Sequence, residues 1–363
     1  MTSQTVLLCA GGTGGHLFPA QSLAEELIKR GWLVHLATDE RVEKFVSEFP
    51  AEKTHIIRSA TFTGSGPISK IKTLSELARG YMTARGIIRR IKPTVVVGFG
   101  GYPTVPPLMA AAHKGVPTIL HEQNAIMGRA NKFLASRVSV IASGFELVGG
   151  ADTGRSAPVM VTGNPLRDVA HEAAKKPYAA PKDGGVFRLL VFGGSQGARF
   201  FSEVTPDAIE ALAPDLAYRL RITIQARPED SAALRGRFVG MDVTADVAEF
   251  FDDLPNRIAD AHLVVCRSGA SSVSELALIG RPSILVPYPG ALDDDQGANA
   301  KLLAETGGAT LVRQNELSAE KLAGFLREAM ENPAALAKRA KSAKRAGVPD
   351  AARRLADLVE SHA

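Results

Sequence analysis

Two segments of this chain carry the same unusual signature. VLLCAGGTGGHLF at Val6 to Phe18 and LLVFGGSQGARF at Leu189 to Phe200 each run a short buried strand into a glycine-rich turn and then a helix. A strand with no polar face must be covered on both sides. That requirement selects a parallel sheet with helices above and below it. Further short apolar runs recur between helical patterns, at Thr5 to Ala10, Leu33 to Ala37, Thr94 to Val97 and Thr118 to Leu120, then at Phe187 to Phe192, Arg221 to Gln225, His262 to Cys266 and Ser283 to Val286. The rhythm is that of βαβ units, and it begins twice. The 363 residues suit two domains at roughly 150 residues each. The expected fold is α/β, with two Rossmann-like doubly wound parallel sheets.

The stretch Gly149 to Pro165, rich in Gly, Ser, Thr and Pro, reads as the boundary and hinge. Domains are therefore expected at 1–163 and 164–349. A closing helix at 350–363 is expected to pack back on the first domain. Val6 to Ala10 is too short for a signal peptide. No run approaches the eighteen or so apolar residues of a spanning helix. Cys9 and Cys266 lie far apart on apolar runs and give no disulfide framework, so a reducing compartment is expected.

Glycines at the end of a strand let a ligand approach the backbone and aim free N–H groups at negative charge. Two such turns, one per domain, point to an anionic ligand. A dinucleotide fingerprint fails, because from Gly12 its third glycine would fall at Leu17. Asp39 does follow a second strand, as a ribose-binding acid would, so a nicotinamide-dependent oxidoreductase is kept as the alternative. Gly193, Ser195 and Gly197 have the spacing of a nucleophile elbow. The histidines downstream, His262 and His362, are poorly placed for a triad. A sugar-nucleotide binding protein without activity is a third possibility.

His16 closes the first glycine loop and is the candidate general base. HEQN, His121 to Asn124, ends a strand where open α/β sheets place ligand contacts, and lacks the second histidine of a zinc motif. Arg267 to Glu275, RSGASSVSE, again opens a helix after a strand, and Glu275 could accept ribose hydroxyls. Asp293, Asp294 and Asp295 read as an acidic helix start, so no protein-bound metal is expected. From Lys70 to Lys92 there are seven basic residues against Glu76 alone, while the whole chain carries a formal charge of +5. Interleaved with Ile68, Ile71, Leu74, Leu77, Tyr81, Met82, Ile87 and Ile88, they form a basic amphipathic helix suited to an anionic membrane surface. Aromatics for stacking bases are scarce, so no nucleic acid is expected.

GGTGGHLFPA at Gly11 to Ala20, GFGGYPTVP at Gly98 to Pro106, HEQN, GNPLR at Gly163 to Arg167, GGSQGAR at Gly193 to Arg199, RSGASSVSE and DDDQGANA at Asp293 to Ala300 occur in one order along nearly the whole chain. This set resembles the MurG family of bacterial N-acetylglucosaminyltransferases. The resemblance implies a GT-B fold whose two domains face each other across a cleft, with UDP-N-acetylglucosamine held by the second domain. The first domain would hold lipid I, a polyprenyl diphosphate acceptor, at the cytoplasmic face of the inner membrane, among other proteins of wall synthesis. The product would be lipid II, and no cofactor is implied. Substrate-binding positions carry over to Thr13, Gly14, Gly15, Asn124, Arg167, Ser195, Phe251, Ala270, Ser271, Ser272, Val273, Ser274, Glu275 and Gln296. His16 would be the catalytic base, Glu275 the ligand of the ribose, and Gln296 that of the N-acetylglucosamine hydroxyls. Phe251 would lie beside the uracil.

Overall fold

The structure, a computed structural model, describes residues 4–11, 14–40, 49–57, 67–148, 157–194, 197–291 and 293–363, without the side chains of 67–74. It divides into two compact units, Met1–Arg167 with Asp350–Ala363, and Asp168–Pro349. Part of the expected hinge, residues 149–156, lies outside the described residues.

In the first unit β1 (Thr5–Cys9), β2 (Leu33–Thr38), β3 (Lys53–Ile56), β4 (Val95–Gly98), β5 (Thr118–Glu122), β6 (Val140–Ser143) and β7 (Val159–Val161) form one sheet in the order β3-β2-β1-β4-β5-β6-β7. Every pairing is parallel. Successive residues of a strand face opposite sides, and both sides are filled here. Val6, Leu8, Val95 and Val97 join one cluster with Leu17, Leu23 and Leu27, whereas Leu7, Cys9 and Val96 join another with Ile87, Ile88 and Leu108.

The closing helix Ala351–Glu360 belongs to this unit. Leu355, Ala356, Leu358 and Val359 enter the cluster beside Leu27 and Trp32. Arg30 pairs with Asp357 at 2.6 Å and Glu360 at 2.8 Å, and the Trp32 indole N–H donates to Glu360 at 3.4 Å.

The second unit repeats the plan with β8 (Phe187–Phe192), β9 (Leu220–Gln225), β10 (Thr244–Ala248), β11 (Leu263–Cys266), β12 (Ser283–Leu285) and β13 (Ala309–Leu311). Their order is β10-β9-β8-β11-β12-β13, again parallel throughout. In such sheets the connections leave the carboxyl edge in opposite directions where the order reverses, and the crevice so formed takes the ligand. Those reversals fall between β1 and β4 and between β8 and β11. The loops after those strands are the glycine turns and the segments GFGGY and RSG.

The basic helix spans Pro67–Ile91. Ala84, Ile87 and Ile88 are core residues, and the Tyr81 hydroxyl lies 2.9 Å from Nδ1 of His113. Only part of its apolar set is therefore exposed. Met82 is 61% exposed, and its neighbours Arg79, Arg85 and Arg89 are also exposed. Ile68, Ile71 and Leu74 have side chains outside the described residues. Among the described residues no helix is long and apolar enough to cross a membrane.

Candidate active site

In the first unit the helix Gly14–Lys29 starts directly after the β1 turn, with no acidic side chain in its first turn. Gly14 is half-buried and Gly15 exposed at its mouth; Thr13 lies outside the described residues. His16, half-buried, leans on the turn after β4. A Cβ on Gly100 would lie 3.2 Å from His16 Cε1, and one on Gly101 3.5 Å from Cδ2. Both glycines have positive φ, +91° and +77°, a region that side-chain-bearing residues seldom enter.

HEQN ends β5 beside this turn, and its four residues divide the work. His121 is fully buried, with Nε2 3.2 Å from the Gly163 carbonyl, and burial pulls its pKa down to about 4. Glu122 is 2% exposed. Its carboxylate accepts from the Asn124 backbone N–H at 3.0 Å, Asn124 Nδ2 at 3.3 Å, the Gly128 N–H at 2.9 Å and Asn131 Nδ2 at 2.8 Å. A carboxylate occupied in this way shapes the loop and is a poor reserve base. Gln123, also 2% exposed, places Oε1 3.1 Å from His16 Nδ1 and donates from Nε2 to the Phe99 carbonyl at 2.9 Å.

GNPLR is tied to the same edge. Asn164 Nδ2 donates to the Gln123 carbonyl at 3.0 Å, and the Arg167 guanidinium stands 4.1 Å from the Phe18 ring centroid. These contacts explain why the first unit extends to Arg167 rather than ending at 163.

In the second unit Gly193 accepts no side chain: a Cβ would meet the Ala198 nitrogen at 2.4 Å. Its N–H donates to Gln225 Oε1 at 3.1 Å, and Gln225 Nε2 donates to the Glu249 carbonyl at 3.1 Å. Gln225 thus ties the turn after β8 to the ends of β9 and β10. Ser195 lies outside the described residues. The downstream His262, poorly placed for a triad on sequence, is consumed at the opposite, amino edge of the sheet, where Nδ1 accepts the Arg188 N–H at 3.0 Å and Nε2 lies 2.9 Å from Arg188 Nη2. No hydrolase triad can form with it.

The helix Ala270–Ile279 opens after β11 at Gly269, without a side-chain cap. Its first N–H groups are thus available to an anion. Ala270 and Val273 are buried, Ser271, Ser272 and Ser274 half-buried, and Glu275 is 9% exposed. Ser268 Oγ donates to the Gln296 carbonyl at 2.8 Å, and the Tyr288 N–H donates to Gln296 Oε1 at 3.0 Å. With its oxygen taken by the backbone, Gln296 keeps its amide donors for another partner. Phe251 is buried under the Arg257 guanidinium at 4.3 Å, so only its backbone could meet a base. Asp294 is engaged by Arg313 at 2.6 and 2.7 Å, which holds its carboxyl below the usual range. Among the described residues no group of three or more His, Cys, Asp or Glu could hold a metal.

Residues 6–143 match the glycosyltransferase family 28 N-terminal domain, and residues 188–355 its C-terminal domain. The chain is 55% identical over 361 residues to the UDP-N-acetylglucosamine--N-acetylmuramyl-(pentapeptide) pyrophosphoryl-undecaprenol N-acetylglucosamine transferase of Chelativorans sp. (strain BNC1), covering 99% of this chain and 96% of the relative. The transferase of the same name from Brucella abortus (strain S19) is 54% identical, covering 98% and 93%. The crystal structure of Acinetobacter baumannii MurG superposes with a TM-score of 0.77 at 28% identity, covering 99% of both chains. The chain belongs to the MurG family. Its two sheets are therefore those of a GT-B glycosyltransferase. A MurG-family assignment leaves the nicotinamide alternative without support. A UDP-GlcNAc 2-epimerase from Neisseria meningitidis, at TM-score 0.70 and 13% identity, shares the fold.

Several residues that hold these loops in place were not singled out by the sequence. Gln123, Phe18, Gln225 and Asn131 act through contacts between distant positions. Only the placement of each beside a glycine turn could have drawn attention to it.

Proposed function

We propose that this chain transfers N-acetylglucosamine from UDP-N-acetylglucosamine to the C4 hydroxyl of the muramic sugar in lipid I, yielding lipid II. The observation that carries this reading is the identity of 55% along 99% of the chain with a transferase named for that reaction. Attack on the anomeric carbon of an α-linked donor inverts the centre and gives a β product, so a single displacement and a single base suffice. His16 takes the hydroxyl proton as the new bond forms. Help of that kind is worth roughly 10²- to 10⁴-fold in rate.

The departing UDP carries the negative charge that develops. The uncapped start of Ala270–Ile279, with Ser271 and Ser272, stabilises the diphosphate through fixed N–H groups and the helix dipole. Glu275 accepts the ribose hydroxyls and Gln296 donates to the sugar hydroxyls. Gly14, Gly15, Thr13, Asn124 and Arg167 serve the acceptor side, Ser195 the donor side, and the Phe251 backbone the uracil. The exposed face Arg79, Met82, Arg85 and Arg89 docks on the anionic cytoplasmic leaflet, where the polyprenyl chain anchors the acceptor.

Titration calorimetry with UDP-N-acetylglucosamine, UDP and NADH tests the donor assignment. Uridine ligands should bind and NADH should not; the reverse pattern would return the oxidoreductase reading. Vesicle sedimentation tests the membrane assignment. Anionic vesicles should retain more protein than neutral ones, and charge reversal at Arg85 and Arg89 should remove the difference. Equal retention would refute electrostatic docking.

A further inference from the structure

We infer that Gln123 is a positioning residue for the transfer step, holding His16 in the tautomer that leaves Nε2 unprotonated and facing the acceptor hydroxyl. The inference rests on His16 being the base. It concerns how a neutral imidazole, with one N–H and one lone pair, is made to offer the lone pair on the correct side.

Gln123 can present either its oxygen or its amide nitrogen to His16, and its other contacts decide which. One end of the amide lies 2.9 Å from the Phe99 carbonyl, 3.0 Å from His121 Nδ1 and 3.3 Å from the His121 carbonyl. Two of these three are carbonyl oxygens that can only accept. That end must therefore be the NH₂ group, which leaves Oε1 at 3.1 Å from His16 Nδ1. An oxygen there only accepts, so His16 Nδ1 carries the proton.

The assignment is locked from behind as well. His121 Nε2 lies 3.2 Å from the Gly163 carbonyl and must donate to it, so Nδ1 of the neutral His121 is the acceptor for Gln123. Two acceptors at Phe99 and Gly163 thus dictate two histidine tautomers in series. Gln123 is 2% exposed and its own carbonyl takes Asn164 Nδ2 at 3.0 Å, so the amide has little freedom to turn over.

His16 Nε2 has no hydrogen-bond partner among the described residues. The two ring carbons that flank it are the ones lying along Gly100 and Gly101, where missing side chains leave Nε2 reachable. The wiring resembles in outline the orienting carboxylate of a catalytic triad, but the orienting group is neutral. Gln123 therefore sets direction without adding charge. The other titratable side chains joined to this network are His121, buried and neutral, and Glu122, whose carboxylate is occupied by Asn124, Gly128 and Asn131.

The test is ¹⁵N-histidine NMR of the full chain, with the His16 signals assigned by their loss in His16→Gln, alongside kinetics of Gln123→Leu and Gln123→Glu. Wild type at pH about 8 should show the Nδ1–H pattern at His16. Gln123→Leu should shift that pattern to Nε2–H and lower kcat by roughly 10- to 100-fold, as loss of an orienting partner does elsewhere. The affinity for UDP-N-acetylglucosamine should stay within about twofold, which also reports that the variant is folded. Gln123→Glu should restore the Nδ1–H pattern and recover turnover. The inner oxygen of that glutamate faces the Phe99 and His121 carbonyls, so the carboxyl keeps its proton to donate there and offers its other oxygen to His16 Nδ1.

An Nε2–H pattern in wild type, or an unchanged His16 pattern in Gln123→Leu, would overturn the inference even if activity fell. If Gln123→Leu loses donor binding through misfolding, the wild-type pattern and the Nδ1–H pattern of Gln123→Glu still decide. Near-normal turnover of His16→Ala would defeat the base assignment instead, a failure visible without any tautomer measurement.

Discussion

The guanidinium of Arg167 lies over the ring of Phe18, 4.1 Å from its centroid. A Cβ on Gly14 would lie 2.8 Å from the Phe18 ring, so the stack holds a cation close to the start of that helix. A stack at a partly exposed site is worth about 0.5–1 kcal/mol. Phe18→Leu should therefore raise KM for the lipid acceptor by roughly two- to fivefold and leave donor affinity unchanged. Steady-state kinetics with the two substrates varied separately checks this. A change confined to the donor would place Arg167 on the wrong substrate.

Glu122 should behave as a structural residue. Glu122→Gln replaces an acceptor-only group with an amide that cannot accept all four bonds, and a buried donor left unpaired costs about 1–3 kcal/mol. The unfolding midpoint should fall, while the pH limbs of kcat/KM stay in place. A displaced limb with unchanged stability would restore Glu122 as a base.

Glu275 should govern the donor alone. Hydrogen bonds to a charged group contribute about 1.5–3 kcal/mol, so Glu275→Ala should weaken UDP-N-acetylglucosamine binding by roughly 10- to 150-fold. Calorimetry reads this directly. Weakening of acceptor binding with the donor intact would contradict the assignment.

How much of this was legible beforehand depended on whether a residue acts through its neighbours in sequence. The strands at Thr5, Leu33, Val95 and Thr118 are apolar runs that few other structures could bury, and each appears within a residue or two of its expected place. The outer strands Lys53–Ile56, Thr244–Ala248 and Ala309–Leu311 escaped, because an edge strand needs no continuous apolar run and KTHI, TADVA and ATL have none. His16 and HEQN stood out as chemistry at strand ends. Within HEQN the part played by Gln123 was not legible, since its bond to His16 spans 107 positions and a glutamine has no proton to lose near neutral pH.

Acid should destabilise the first unit before its carboxylates titrate. Burial pulls His121, and likewise His55, from 6.5 down to about 4. Above pH 6.5 both forms of the chain hold these rings neutral, so they add no pH dependence. Below it the unfolded chain binds protons that the folded one refuses, and stability falls as pH drops from about 6.5 towards 4. Urea unfolding followed by Trp32, the chain's one tryptophan and buried in this unit, should show a midpoint that is flat above pH 7 and declines by pH 5. A flat midpoint down to pH 5 would mean the rings ionise freely in the folded state.

The most direct test of the whole account is a transfer assay with UDP-N-acetylglucosamine and lipid I in detergent or vesicles, run on wild type and His16→Ala. Wild type should release one UDP for each β-linked disaccharide formed. His16→Ala should bind the donor with near-normal affinity and turn over roughly 10²- to 10⁴-fold more slowly. Release of UDP without disaccharide, or no transfer by a wild-type protein that binds both substrates, would contradict it.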